Sequence, residues 1–510
     1  MRRYFDPDYP VRPGADEAPA VENVYLRILR HMRGFRKGIA TGIGLASLGS
    51  IFIVLQPWAI KYAIDGALVG RGLELPLIGT IPTGTPAERV RAGALMALVY
   101  LVITVVGVLI GSASFYVFAK VALEMIHDLR GRLVFHMRSL GLRFHASQSV
   151  GESIWRAIND ARSIQEVMIY GVQTWTRPIL QLGLMVVLML TLDPLLTVIA
   201  LGVIPPLAFT IHRLTGRIQA ASAESRERMG RLTALIEQTL VAIRAVQVFG
   251  REGREHERFS DTSRGFVRAQ LRFRGWEQAL NASTVAITGV GTAAILVLAS
   301  RRVIDGALTI GSLWVFVSYM QSIYNMMNQI MFVYGPFQDA VVGVGRAFQV
   351  LDEIPEIQEA HDAVDKPDFT TSVRFRDITF AYDPERVVLR GLDLEIAKGE
   401  KIAIVGETGS GKTTILSLMP RLYDVNTGAI EIDGVDIRKL TIASLRNLIS
   451  MVPQEPLLFS ASIKDNILYG RLDAGFDEVI TAATAARAAK FTDELPNGYE
   501  TEVGERGVKL

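Results

Sequence analysis

Two hydrophobic rhythms divide this chain. Long apolar runs separated by stretches of helical periodicity fill roughly the first 350 positions, and period-two alternation follows. Six runs are long enough to cross a hydrocarbon layer, which takes ~20 helical residues. They are Gly38 to Ile64, Ala92 to Ala122, Trp175 to Leu192, Leu195 to His212 (after the turn at Asp193-Pro194), Ala279 to Ala299 and Ile310 to Val333. Ahead of them, Val24 to Arg36 sets Val24, Leu26, Ile28, Leu29 and Met32 on one side and Arg27, Arg30, Arg33 and Arg36 largely on the other. That pattern predicts a helix lying in a membrane interface.

The segments between runs two and three, and between four and five, keep helical periodicity with little Pro or Gly, as in Met229 to Phe249. Helices leaving the membrane for ~30 further residues project ~45 Å. Each such arm is predicted to end in a short crosswise helix, near Leu142 to Val150 and near Leu232 to Leu240. Charge orients the whole. Lys120 to Arg177 holds eight basic residues and Arg213 to Arg274 holds thirteen, whereas the opposite loops hold only Arg71, Arg89 and Arg91, then none, then Arg301 and Arg302. The positive-inside rule puts both arms, and both chain ends, in the cytoplasm.

The alternating part begins after an acidic linker, Asp352 to Phe369, with Pro355 and Pro367. Val373 to Phe380 reads as an edge-type strand, Leu392 to Ile396 as another, and Ala429 to Asp433 as a third running into a turn at Gly434. Lys401 to Val405 reads as a buried strand that enters Gly406-Glu407-Thr408-Gly409-Ser410-Gly411-Lys412-Thr413-Thr414. This is G-x-x-x-x-G-K-T, and Ile415 to Met419 continues as an apolar helix. Glycines let successive amides point at one anion, the lysine adds charge for the β- and γ-phosphates, and the hydroxyl after it can ligate Mg²⁺. The expected class is an α-helical six-span membrane domain followed by a partial α/β P-loop nucleotide-binding domain.

Composition narrows the chemistry. With 510 residues there is room for more than one domain, and 49% apolar against 21% charged residues fits membrane spans plus water-exposed parts. No cysteine is present, so disulfides, thiolate metal sites and cysteine nucleophiles are excluded. The net charge of +2 gives no pointer to nucleic acid, and none is expected as a partner. The polar start, with Asp6, Asp8, Asp16 and Glu17, has no apolar core after a basic lead, so it is neither a secretory signal nor a transit peptide. It reads as a short disordered cytoplasmic tail.

Six spans, long arms and a fused P-loop resemble one half of an exporter-type ATP-binding cassette (ABC) transporter. Tyr382, 24 residues before the P-loop, matches the aromatic that stacks on adenine in that family. Gln454, in the run Val452 to Ile467, matches the Q-loop glutamine that meets Mg²⁺ or water. Thr501 to Gly507 matches the exporter X-loop. Gly151-Glu152 with Asp160, and Arg346-Ala347-Phe348, also fit. A proline common midway along the sixth span is replaced here by Asn325-Met326-Met327-Asn328.

The resemblance implies domains at 1–21 (tail), 22–351 (six-helix membrane domain with interfacial helix and arms), 352–370 (linker) and 371–510 (first part of the nucleotide-binding domain). It implies ATP and Mg²⁺ as cofactors. Tyr382, Gly406, Glu407, Thr408, Gly409, Ser410, Gly411, Lys412, Thr413, Thr414 and Gln454 hold the nucleotide, with Thr413 and Gln454 on the metal. It implies an ATP-hydrolysing exporter in the cell membrane, with membrane lipid and a second half-transporter as partners, a homodimer rather than a heterodimer. The cargo is an amphipathic small molecule, lipid or peptide. In the family, G-V-K-L is followed by the signature motif, and here it ends the chain at Leu510. No catalytic residue is therefore placed within these positions, and the chain reads as part of a longer protein.

On the sixth span, Gln321, Tyr324, Asn325, Met326, Met327, Asn328 and Met331 stand between two readings, cargo lining and helix packing. Lys61 and Asp65, one turn apart, are expected to pair with each other. Two competing functions fit the same features: a membrane receptor or channel gated by its cassette, and a soluble ATPase with an unrelated anchor. One span would suffice for an anchor.

Overall fold

The computed structural model describes residues 23–70, 73–75, 79–148, 150–366, 368–454 and 458–504. The expected tail at 1–21, part of the Q-loop run (455–457) and the X-loop residues Glu505 to Gly507 lie outside that set. The chain divides into two compact units, one formed by residues up to Ser139 with Ser147–Ile354, the other by Leu140–Ala146 with Pro355–Leu510.

The first unit is helical. Asn23 caps α1 (Val24–Met32) by accepting from the Tyr25 amide at 3.0 Å, and the amphipathic pattern resolves with Ile28 buried while Leu26 and Leu29 stay exposed. Arg27 clamps α1 to the far end of the unit. It forms a bidentate pair with Asp352, Nη2 donating to Oδ1 at 2.8 Å, and lies 4.5 Å over the Phe348 ring. The first span is α2 (Arg36–Tyr62), closed by a π-turn at Ala63–Leu68. A small ribbon, β1 (Leu73–Leu75) with β2 (Gly79–Ile81), leads to a reciprocal cap: the Glu88 amide donates to Thr85 Oγ1 at 3.3 Å and the Thr85 amide donates to Glu88 Oε2 at 3.0 Å.

From that cap α3 (Pro86–Ser139) runs unbroken for 54 residues. At 1.5 Å per residue this is about 80 Å, well over twice the ~30 Å hydrocarbon layer, so α3 is span and arm in one rod. Then come α4 (Leu142–Ser147), α5 (Val150–Trp155), α6 (Ala161–Glu166) and α7 (Thr174–Leu192), with π-turns at Arg156–Asp160 and Val167–Gln173. Asp193 ends α7 in an extended conformation and caps α8 (Pro194–Leu201) by accepting from the Leu196 amide at 3.1 Å. Gly202 interrupts the helix, and α9 (Ile204–Val241), α10 (Ile243–Val248), α11 (Glu252–Ile304) and α12 (Ile310–Asp352) follow.

Five stretches of the described residues are long and apolar enough to cross a membrane: Val24–Leu68, Pro86–Ser139, Gly151–Leu192, Pro194–Val241 and Glu252–Ile304. The protein is thus a multi-pass membrane protein. The sixth expected span falls in α12, one continuous helix in which the side chains of 328, 330–332 and 334 lie outside the described set.

One arm departs from expectation. No separate helix forms over Leu232 to Leu240, because that stretch contains good helix formers and neither Gly nor Pro, so α9 carries straight through it. The break comes at Ala242 (φ −90°, ψ 15°), and Gly250 at φ +57° turns the chain into α11.

The core of this unit gathers around α12. Val315, Phe316, Tyr319 and Met320 pack with Met185 and Met189 of α7, Leu196 and Ala200 of α8, and Ile295 and Ala299 of α11. Its polar groups are paired: Trp58 Nε1 donates to Tyr319 Oη at 2.8 Å, and that hydroxyl donates to the Val54 carbonyl at 2.6 Å. Tyr324 and Met326, weighed above as cargo contacts, are buried in the same cluster, whereas Gln321 and Asn325 are exposed. Lys61 pairs with Asp65 at 3.1 Å, as expected. Asp65 also accepts from the Thr309 hydroxyl at 2.6 Å and the Gly311 amide at 2.8 Å, which ties the end of the first span to the start of α12.

The second unit is built on an antiparallel sheet of β3 (Ser372–Asp383), β4 (Arg386–Ala397), β5 (Thr427–Ile432) and β6 (Val435–Asp436) in the order β4-β3-β5-β6. Val373 to Phe380 is therefore an inner strand, not the edge its alternation predicted; β4 on one side and β5 on the other fill both its ladders. Val373, Phe375, Ile378 and Phe380 are buried on it. Asp433 (φ +50°) and Gly434 (φ +79°) make the two-residue turn from β5 to β6, the left-handed pair that a tight hairpin requires.

The other correction concerns the entry to the P-loop. Lys401 to Val405 is no strand, and it is not buried: Ile402 is 41% and Val405 87% exposed. An apolar run becomes a buried strand only when neighbouring strands satisfy its amides and cover its side chains. Among the described residues no strand pairs with this one.

Candidate nucleotide site

The P-loop lies between that extended run and α13 (Lys412–Leu418). Two of its glycines are dictated by backbone conformation, Gly409 at φ +89° and Gly411 at φ +92°. At Gly411 space forbids a side chain as well: a Cβ would lie 2.7 Å from Leu389 Cδ2. Leu389 belongs to β4, so the loop is set directly against the sheet.

The loop presents donors. Ser410 closes a turn by donating its amide to the Glu407 carbonyl at 3.1 Å, and the Ile415 amide reaches back to the Gly411 carbonyl at 3.1 Å. Among the described residues the amides of Thr408, Gly409, Gly411, Lys412 and Thr413 donate to no group of the chain. Lys412 folds over the same loop and donates Nζ to the carbonyls of Gly406 at 2.9 Å and Glu407 at 2.7 Å. Unpaired amides beside an ammonium fit a di- or triphosphate. The lysine needs only to exchange two carbonyls for phosphate oxygens.

Tyr382, at the end of β3, is 38% exposed, and its hydroxyl donates to Thr414 Oγ1 at 3.1 Å. Thr414 is buried in the first turn of α13, so the tyrosine is fastened to that helix. Phe380 and Tyr423 hold it edge-on, with ring centroids 4.9 and 5.1 Å away and interplanar angles of 86° and 85°. The Asn426 side chain accepts from the Ala381 amide at 2.7 Å and fixes the strand end. Arg143 of α4 donates to the Ala381 carbonyl at 3.4 Å and pairs with Glu356 at 3.5 Å. Tyr423, Asn426 and Arg143 were not anticipated. Nothing in their sequence neighbourhood marks them, because each reaches the site through the fold.

Thr413 is exposed at the head of α13, as a hydroxyl facing a metal must be. Gln454 is exposed too, and among the described residues no hydrogen bond joins it to the P-loop. The structure thus brings Tyr382, the loop, Lys412 and Thr414 together, and among the described residues no hydrogen bond adds Gln454 to them.

In the membrane unit, two family-like segments meet. Arg346 of α12 grips Asp160 with Nη2 at 2.6 Å and Nε at 3.1 Å, and Asp160 is only 2% exposed. A Cβ on Gly343 would fall 2.2 Å from Ser163 Oγ, so the small residue permits this approach.

A phosphate-binding loop beside an aromatic, in one chain with membrane-length helices, defines a membrane-bound nucleotide-driven machine. Comparison with known proteins makes the class specific. The family model of the ABC transporter transmembrane region matches residues 39–327, and the ABC transporter model matches 389–507. The Bacillus subtilis protein YgaD, named for multidrug export as an ATP-binding/permease protein, is 29% identical over 489 residues, covering 96% of this chain and 82% of its own. The ATP-dependent lipid A-core flippase of Syntrophus aciditrophicus is 31% identical over 491 residues, covering 96% and 78%. A bacterial Atm1-family ABC exporter solved with ATP bound superposes with a TM-score of 0.76 at 28% identity, covering 93% of this chain and 82% of its own. The chain belongs to the ABC transporter family. It is an ATP-driven exporter, a transport ATPase whose energy comes from the nucleotide.

Proposed function

We propose that this exporter moves an amphipathic small molecule, lipid or peptide out of the cytoplasm or inner leaflet, working as a homodimer in the cell membrane. The observation that carries the nucleotide end is the set of unpaired loop amides beside Lys412. Tyr382 offers its face to adenine, Gly406 to Thr414 hold the phosphates, and Gln454 reaches the site when the nucleotide is in place. Thr413 and Gln454 would hold Mg²⁺, which would supply positive charge against the phosphates.

The supporting arguments for topology are charge and length. Basic arms set against poor opposite loops favour six spans with the cassette in the cytoplasm. The domain division follows: tail 1–21, membrane domain 22–351, linker 352–370, cassette from 371. A lipid A flippase and a multidrug exporter among the relatives favour an amphipathic cargo.

Vesicles containing the protein, loaded with a fluorescent phospholipid or a lipophilic dye, test this reading. ATP-dependent movement of either probe across the bilayer supports it. ATP hydrolysis that no amphiphile stimulates and that moves none would overturn the cargo class.

A further inference from the structure

Among the described residues of the spans, Arg177 is a cation without a carboxylate. It lies in the first turn of α7, and its Nη2 donates to the carbonyl of Gly111 in α3 at 2.6 Å. No other polar group among the described residues takes the rest of its five N–H donors. Intramembrane charges normally pair or line a pathway, because hydrocarbon cannot solvate them.

A groove surrounds this guanidinium. Gly107 and Gly111, one turn apart on α3, leave room between α2, α3 and α7; a Cβ at Gly107 would stand 3.1 Å from Phe52 and one at Gly111 would stand 3.4 Å from Arg177 Nη2. The cavity is about 390 Å³. Its other polar end is already satisfied, since Gln56 Nε2 donates to Thr104 Oγ1 at 2.8 Å and to Tyr100 Oη at 3.1 Å. Its walls are apolar and open sideways: Ile53, Val108 and Phe115 are exposed. No residue of α12, where the cargo candidates lie, lines it.

We propose that this groove holds an anionic phospholipid, its phosphate on the Arg177 fork and an acyl chain along Phe52, Val108 and Phe115. A planar guanidinium offers two parallel N–H donors to a phosphate, so the recognition is of charge and shape. Placing the site in the inner leaflet rests on the orientation proposed above. The binding itself does not, and a lipid held here is resident, not cargo.

Native mass spectrometry of the full protein from nanodiscs tests the assignment. Nanodiscs contain either phosphatidylcholine alone or phosphatidylcholine with phosphatidylglycerol. Wild type is expected to retain phosphatidylglycerol over phosphatidylcholine, Arg177→Gln to lose about tenfold of that retention and Arg177→Lys to keep an intermediate share. Equal retention by wild type and Arg177→Gln would overturn the proposal, as would equal retention of the two lipids. Adding ATP and Mg²⁺ separates the sources: a resident lipid stays through turnover, and release with turnover would mark cargo and contradict the assignment. If Arg177→Gln fails to fold, Arg177→Lys decides: it must retain less phosphatidylglycerol than wild type, and equal retention refutes the site. ATP binding at the P-loop, measured on the same samples, reports separately on the exporter reading.

Discussion

Tyr382 donates its hydroxyl to Thr414 Oγ1, 3.1 Å away, and so couples the exposed aromatic at the end of β3 to the first turn of α13. One bond thereby sets the distance between the surface proposed for the base and the cradle proposed for the phosphates.

This coupling separates two substitutions. Tyr382→Phe keeps the ring and loses only the bond to Thr414, so ATP affinity is expected to fall by no more than about threefold. Tyr382→Ala removes the ring and is expected to cost roughly 3- to 10-fold in ATP affinity, with inorganic triphosphate little changed. Fluorescence titration of both ligands checks it. Equal losses for ATP and triphosphate would argue against stacking.

Asp160 and Arg346 make a second prediction. Asp160 is 2% exposed, so removing its partner leaves a buried carboxylate without compensation. Arg346→Ala is expected to destabilise the protein by about 3–5 kcal/mol, and Asp160→Asn with Arg346→Ala by less than Arg346→Ala alone. Thermal unfolding in detergent, run as a double-mutant cycle, reads the coupling; strictly additive effects would contradict it.

Asp433 gives a pH dependence. Burial alone would raise its pKa, but the hydroxyl and amide of Thr371, the Lys366 ammonium and the Thr370 amide outweigh burial and hold the carboxyl well below the usual carboxylate range. A depressed folded-state value contributes stability that is fully present above the unfolded value of 3.8 and is lost as pH falls toward the folded one. Asp433→Asn is therefore expected to cost about 1–3 kcal/mol at pH 7, with the gap to wild type closing below about pH 4. A gap that stays constant down to pH 2 would contradict this sign.

Much of this was legible in the residue order, for reasons that differ by position. Gly409 and Gly411 announced the loop because only glycine accepts their φ values cheaply. Lys61 and Asp65 announced their pairing because helical spacing brings them together. Asp160 and Arg346 were each recognisable, but they sit 186 positions apart, and no local pattern tells that they touch. Tyr423 packs against Tyr382 for the same hidden reason. Lys401 to Val405 misled because β-branched apolar residues describe a side chain's preference, while a strand also needs partners. Leu232 to Leu240 misled because the position of a helix break depends on one residue, Ala242, that has no breaking chemistry of its own.

The most direct test is ATP hydrolysis by the full-length protein carrying Lys412→Ala, in lipid vesicles. Lys412 donates to the carbonyls of Gly406 and Glu407 and is the cation of the proposed phosphate cradle. Amphiphile-stimulated hydrolysis is expected to be lost while membrane insertion, judged by extraction and protease protection, is unchanged. Hydrolysis at the wild-type rate in a correctly inserted Lys412→Ala protein would contradict the assignment of Gly406 to Thr414 as the phosphate site.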